Sequence, residues 1–284
     1  MKELIINADD FGLHPVINDG IIRGFRHGCI TSTTIMPAAG YFADAVSQAL
    51  TAPGLGIGVH LTLVGEKPVC ASDKVNSLID RQGNFLPKYP HFLLRFFAGK
   101  ISPVQIEAEF SSQIKKAMDA GIKITHLDSH QHLHILPGII DIVLSLAAKY
   151  QIKAVRIPDE AYLFQGGFPL SPVRMFARNG LTMLARLARR KAKQKGLLTP
   201  DHFFGMLAGG NMLEKHLSCI IDHLPPGVSE IMVHPGNDEG ILQQQFRWNY
   251  HWQAELAAVT GRNVLAQLTE SKVRLISFGE LHNA

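Results

Sequence analysis

Short apolar runs alternate along this chain with longer amphipathic ones, the rhythm of βαβα units in which buried strands are covered by one-sided helices. Residues 4–10 (LIINADD) read as a strand ending in polar residues. Residues 15–27 read as a helix with proline in its first turn and Gly28 as its stop. A β-branched strand is expected at 30–36, a short helix at 43–50, and an apolar, glycine-punctuated strand at 55–63 (LGIGVHLTL). Ser102 and Pro103 open a helix that Gly121 closes. Then come a strand at 122–130, a helix at 137–150, strands at 153–158 and 229–236, a helix over 252–269, and a last strand at 273–277.

Two stretches interrupt the rhythm. Residues 65–99 show little periodicity, and residues 161–205 form a second insertion. Neither has a linker composition, and no internal repeat is visible. The expectation is one domain over 1–284, an α/β barrel with decorated loops. A chain of 284 residues is ordinary for that class and can bury about three quarters of its unfolded surface.

Composition narrows the function classes. Hydrophobic residues make up 46% and charged residues 18%, the balance of a globular protein. No apolar run reaches eighteen residues, so no membrane span is expected. The opening MKELIINADDFG enters a strand at once, which argues against a signal peptide. Cys29, Cys70 and Cys219 are scattered, which suits reduced thiols and a cytoplasmic location.

Charge is uneven. Residues 161–200 contain no acid, yet hold Arg174, Arg178, Arg186, Arg189, Arg190, Lys191, Lys193 and Lys195. Without these eight the chain has twenty basic and twenty-four acidic residues, so its net positive charge resides here. Leu181, Leu184 and Leu187 recur at helical spacing beside Phe176 and Met183. Such a basic amphipathic helix suits an anionic membrane surface, giving peripheral contact through 174–195; it equally suits a solvated helix over the barrel rim. No aromatic-interleaved basic patch points to nucleic acid. An oligomer is left open.

Active sites of parallel α/β folds lie at the carboxyl ends of the strands. Those ends supply Asp9 and Asp10, His60, the cluster His126, Asp128, His130, His132 and His134, then Arg156 and His234. By alternation, one of Asp9 and Asp10 should point inward and the other aside. Two adjacent carboxylates repel unless a cation or a shared proton relieves them, although Asp-Asp-Phe-Gly also suits a turn. The five residues 126 to 134 all fall at even positions, so an extended strand would put them on one face. Four imidazoles and a carboxylate make a poor packing face and a good ligand face. His130 is the favoured ligand there, Asp128 a group that would orient one, and the last two imidazoles also fit a solvated loop. His60 interrupts an otherwise apolar strand, either as ligand or as core histidine. His234 is open between catalytic group and core histidine. Arg156 can pair with an acid, set a charge state or bind substrate. No GxSxG, Walker loop, GxGxxG or HExxH is present.

Taken together, NADDFG, TSTT, GVHLTL, THLDSHQHLH and the late HPG resemble, in order and over nearly the whole chain, the YdjC (ChbG/HpnK) family of carbohydrate N-deacetylases. The resemblance implies a deformed (β/α) barrel similar to polysaccharide deacetylases and removal of acetyl from an N-acetylglucosamine unit. It implies that Asp10, His60 and His130 bind one divalent metal ion, that Asp9 is the general base and that His234 is the general acid. Asp128, His134 and Arg156 would then contact substrate or support the ligands. The ligand types suit Zn²⁺ or Mg²⁺, with Mn²⁺, Co²⁺ and Ni²⁺ also compatible. His14 stands where the family has a small residue, which would alter substrate contacts or add an imidazole to the rim. The middle insertion and PDHFFGMLAGGNM are similar to the hopanoid-associated branch, implying a lipid-linked sugar met at the inner membrane; a soluble chito-oligosaccharide is the alternative. Phosphoester or glycoside hydrolysis on the same rim is the rival chemistry.

Overall fold

The computed structural model describes residues 1–162, 164–169 and 171–282. Leu163 and Leu170, inside the predicted insertion, lie outside the described residues. Eight parallel strands form one sheet: β1 (Lys2–Phe11), β2 (Ser32–Ile35), β3 (Gly56–Leu61), β4 (Ile124–Ser129), β5 (Ala154–Val155), β6 (His202–Phe204), β7 (Gly227–Val233) and β8 (Arg274–Leu275). Their order is β5-β4-β3-β2-β1-β7-β6, and β8 pairs with the first half of β1. Nine of the ten β1 residues are buried, as a strand covered on both faces requires.

The sheet is curled. Arg156, just past β5 at one end of the order, bonds Asp9 on β1 and Glu230 on β7 near the other end. A bridge from Ala154 to Leu198, four residues before β6, brings the ring close to closure. The result is an open, deformed parallel barrel, with every strand directing its carboxyl end to one rim. Polar side chains fill part of the interior, including Asn7, Asp9, His126, Asp128, Arg156 and Glu230. Gly58 makes room for one of them: a Cβ there would sit 2.5 Å from the His126 ring, which stacks on Phe278 at 3.6 Å.

Several expectations change in the folded chain. The helix over 252–269 is two helices, Trp252–Thr260 and Arg262–Glu270, divided at Gly261. Residues 65–99 hold the helix Tyr89–Phe97. The insertion is mostly one helix, Pro172–Gln194, and β6 within its predicted span belongs to the barrel. Three residues are too few for alternation to show, and β6 is held by its ladder to β7. The strand 122–130 stops at Ser129, because the next residues close a tight turn, His130–Ile135, in which Gln131 and His132 have φ of 56° and 55°. His126 to His134 therefore share no single strand face.

Candidate active site

Asp9 and Asp10, at the carboxyl end of β1, open on the same cavity. Simple alternation would separate them, but Asp10 adopts φ +69° and the β1–β2 register shifts between Ala8 and Phe11. One irregular residue cancels the pleat, so consecutive side chains face the rim together. Left-handed backbone is costly for a residue with a Cβ, and Asp tolerates it better than most.

Asp10 Oδ1 lies 3.0 Å from His130 Nδ1 and 3.4 Å from His60 Nε2. One donor atom from each of the three falls within 4.8 Å of the others, so this group could hold a metal ion. His60 is oriented from behind, with Nδ1 2.8 Å from Asp128 Oδ1 and 3.1 Å from Thr34 Oγ1. That contact leaves Nε2 turned to Asp10, the carboxylate–imidazole arrangement typical behind a metal ligand. Burial works against ionised Asp10, yet His130 and His60 hold its carboxyl well below the usual range. The donor chemistry fits a divalent cation: a buried anionic oxygen and two imidazole nitrogens whose ligand atoms lie within reach of one ion.

Arg156 is fully buried and holds three carboxylates. Its two terminal nitrogens bond Asp9 Oδ2 and Oδ1, each at 2.7 Å, and Nη1 also lies 2.6 Å from Asp128 Oδ2. Nε donates to Glu230 Oε1 at 2.7 Å. Burial opposes ionisation of Asp9, but the guanidinium outweighs it and lowers the pKa. Burial pushes Glu230 up to about 7 in spite of Arg156. Of the three roles open to Arg156, this geometry favours pairing and charge control, since its donors face inward to acids.

His234 follows β7 and also lines the cavity. Its backbone N–H donates to Glu255 Oε2, its Nδ1 lies 3.8 Å from that oxygen, and its ring meets Tyr250 edge-on at 5.1 Å. Burial alone would lower the imidazole pKa; Glu255 overcomes it, and the net shift is upward. Glu255 also accepts from the Met212 N–H, so one buried carboxylate ties two loops to the rim.

The other imidazoles play different parts. His134 is clamped by the Ser129 hydroxyl and the Arg156 carbonyl, away from the cavity, which makes it a fastening for the turn. His132 lines the cavity and is pushed down to about 3, chiefly by burial. His14 caps the helix Pro15–His27 through Nδ1 and packs on Tyr41; it does not line the cavity. Sequence reading missed Glu255, Tyr250, Glu230 and Thr34. It also missed Glu66, which burial and the Asp10 charge raise to about 7. None of these ends an apolar run in a way that marks it.

The cavity measures about 690 Å³, within the range of small-molecule sites. Asp9, Asp10, His60, His130 and His234 are gathered in it. Its remaining lining includes Leu93 and Phe97 from one helix, and Phe176, Leu181 and Leu184 from the other.

A family model described as YdjC-like protein matches residues 3–270. A carbohydrate deacetylase of Thermoanaerobacter pseudethanolicus is 31% identical over 99% of this chain and all of its own length. One from Brevibacillus brevis is 32% identical over 98% of this chain and 99% of its own. A crystal structure from Enterococcus faecalis, of a protein named for cellobiose-phosphate cleavage, superposes with a TM-score of 0.77 at 28% identity, covering 98% of this chain and 97% of that one.

Proposed function

We propose that this chain, which belongs to the YdjC-like family, is a metal-dependent hydrolase that removes the N-acetyl group from an N-acetylglucosamine-containing substrate. The observation carrying this reading is the meeting of Asp10, His60 and His130 with Asp9 and His234 in one cavity. Full-length relatives named carbohydrate deacetylase support the same reaction class. Asp10, His60 and His130 would hold the cation, Zn²⁺ or Mg²⁺ first, with Mn²⁺, Co²⁺ and Ni²⁺ compatible. When bound, it supplies Lewis-acid polarisation of the amide carbonyl and lowers the pKa of water at the site.

The protein's own groups do the proton work. Asp9 is kept ionised by Arg156, and Oδ2 spends one bond on that fork, so a lone pair is left to accept a proton from the attacking water. The C–N bond then breaks to give acetate and an amine. An amine leaves poorly as an anion, and His234, whose pKa Glu255 raises, donates the proton it needs. His234→Ala is expected to lower kcat roughly 10² to 10⁴-fold with little change in KM, measured by acetate release. A kcat near the parent value would remove His234 from the acid role. Glu255→Gln keeps the shape but removes the charge that raises His234. The alkaline limb of the pH–rate profile should therefore move to lower pH, and an unmoved limb would mean Glu255 serves only to hold the backbone.

The apolar flanks of the cavity favour a sugar joined to an apolar partner, a glycolipid of the hopanoid type, over a soluble chito-oligosaccharide; peripheral membrane contact through 174–195 belongs to this reading. The test is acetate release from both substrates, with and without chelator. Chelator-sensitive release from either supports the chemistry, and release from the soluble one alone removes the lipid. The name of the Enterococcus faecalis relative supports one rival, cleavage of a phosphorylated disaccharide. Sugar release without acetate would establish that rival instead.

A further inference from the structure

The eight cations of residues 161–200 are not all free to meet a partner. Arg178 is buried and donates to the carbonyls of Tyr162 and Phe164. Arg189 pairs with Asp159, Lys191 with Asp141, and Arg174 donates to the Leu207 carbonyl. Arg186 lies over the Tyr162 ring but remains exposed. Arg190, Lys193 and Lys195 are exposed and make no ion pair among the described residues. The helix Pro172–Gln194 is thus bound to the barrel by one face, through Arg178, Thr182, Ala185, Ala188 and Ala192.

Its opposite face is apolar and uncovered. Val173, Phe176, Met183 and Leu187 are 81%, 83%, 58% and 49% exposed, and with Gly180 they follow helical spacing in one stripe. A second helix repeats the pattern. Tyr89, Leu94 and Phe97 on Tyr89–Phe97 are 47%, 71% and 67% exposed. These two helices carry seven of the thirteen exposed large apolar side chains among the described residues. Tyr89, Phe97, Phe176 and Met183 line the cavity while also standing in solvent, so both helices border its mouth. Residues 81–106, around the second helix, also contain no acid, and exposed Lys88 and Lys100 flank it.

We propose that the helices Tyr89–Phe97 and Pro172–Gln194 together form a docking surface for an anionic lipid bilayer, setting the cavity mouth against the membrane. The deacetylase reading enters only in saying why that mouth should face lipid. Contiguous exposed apolar surface marks an interaction site, and the composition of this one selects the partner. Exposed apolar side chains flanked by exposed cations, on two stretches of chain that contain no acid, match the boundary between acyl chains and anionic headgroups. In a symmetric pair, a second copy would set these flanking cations against their own kind. No described helix is long and apolar enough to cross a membrane, so contact would be at the surface.

The test is co-sedimentation of the full chain with vesicles of phosphatidylcholine alone or with about one third phosphatidylglycerol. Binding is expected only to the anionic vesicles and should weaken with salt. Each cation near such a surface contributes roughly a fivefold factor, so Arg190→Gln with Lys193→Gln should lower partitioning tenfold or more. Leu94→Ser with Leu187→Ser should reduce it as well, and neither exposed pair should change acetate release from a soluble substrate. Absence of anionic-vesicle binding, or binding that ignores both pairs, overturns the proposal. So does a wild-type dimer that Leu94→Ser/Leu187→Ser turns to monomer without any vesicle binding. Vesicle binding with no acetate release from any substrate would sink the deacetylase reading and leave the docking surface in place.

Discussion

Replacing Asp10 with Asn should abolish turnover while leaving the fold intact. The substitution is isosteric and keeps a side chain that tolerates the φ of +69° at this position, where Ala would add backbone strain. What it removes is the anionic oxygen lying 3.0 Å from His130 Nδ1 and 3.4 Å from His60 Nε2. Two neutral imidazoles and an amide hold a divalent cation far less well than a set containing a carboxylate. Losing Lewis-acid assistance forfeits several kcal/mol of transition-state stabilisation, which corresponds to a fall of about 10⁴-fold or more in kcat/KM. The purified variant should also carry much less metal by elemental analysis, with a thermal midpoint close to the parent's. Retained metal with near-normal acetate release would place the ion elsewhere. Chelation of the parent should reproduce the loss, and add-back of Zn²⁺, Mg²⁺, Mn²⁺, Co²⁺ and Ni²⁺ in turn would rank the metals.

The second large effect concerns stability. Arg156→Leu leaves Asp9, Asp128 and Glu230 facing one another in a buried space with their common cation gone. Breaking a buried ion pair typically costs about 3–5 kcal/mol, because the partner charge stays behind without compensation. For a chain of this size that is a drop in Tm of roughly 10 °C, readable by thermal unfolding. Arg156→Lys restores the charge without the fork and should fall between the two. Adding Glu230→Gln to Arg156→Leu removes one stranded acid and should recover part of the loss. A parent-like Tm for Arg156→Leu would mean that these acids are protonated or solvated, and that the guanidinium is not their anchor.

Much of the site was legible because of two local signals. A parallel sheet sends every carboxyl strand end to one rim, and polar residues stand out where they interrupt or end apolar runs. Asp9, Asp10, His60, Asp128, Arg156 and His234 all have that signature, and the fold brings them together as the strand order requires. The variants at Asp10, Arg156 and His234 test the roles proposed for those three. The supporting residues have no such mark. Glu255 sits inside the mostly apolar helix Trp252–Thr260, twenty-one residues from the imidazole it faces, and Tyr250 in an aperiodic loop. Glu230 occupies a strand position whose burial depends on Arg156 arriving from seventy-four residues away.

The sequence by itself determined the α/β class, the strands that carry the site and the segment that carries the positive charge, because periodicity and composition act within a few turns of chain. Tertiary structure decided what those patterns became. Even-numbered spacing from His126 to His134 satisfies a strand, but the Ser129 hydroxyl grips the backbone and ring of His134 and folds the segment into a turn. Asp9 and Asp10 should alternate, but the register against β2 slips at Asp10 and both reach the rim. Eight cations look equivalent along the chain, yet half are consumed by carbonyls and acids from other segments. For the two acids and the cations the deciding partner came from another segment of the chain, whereas for the imidazoles a hydroxyl five residues away sufficed.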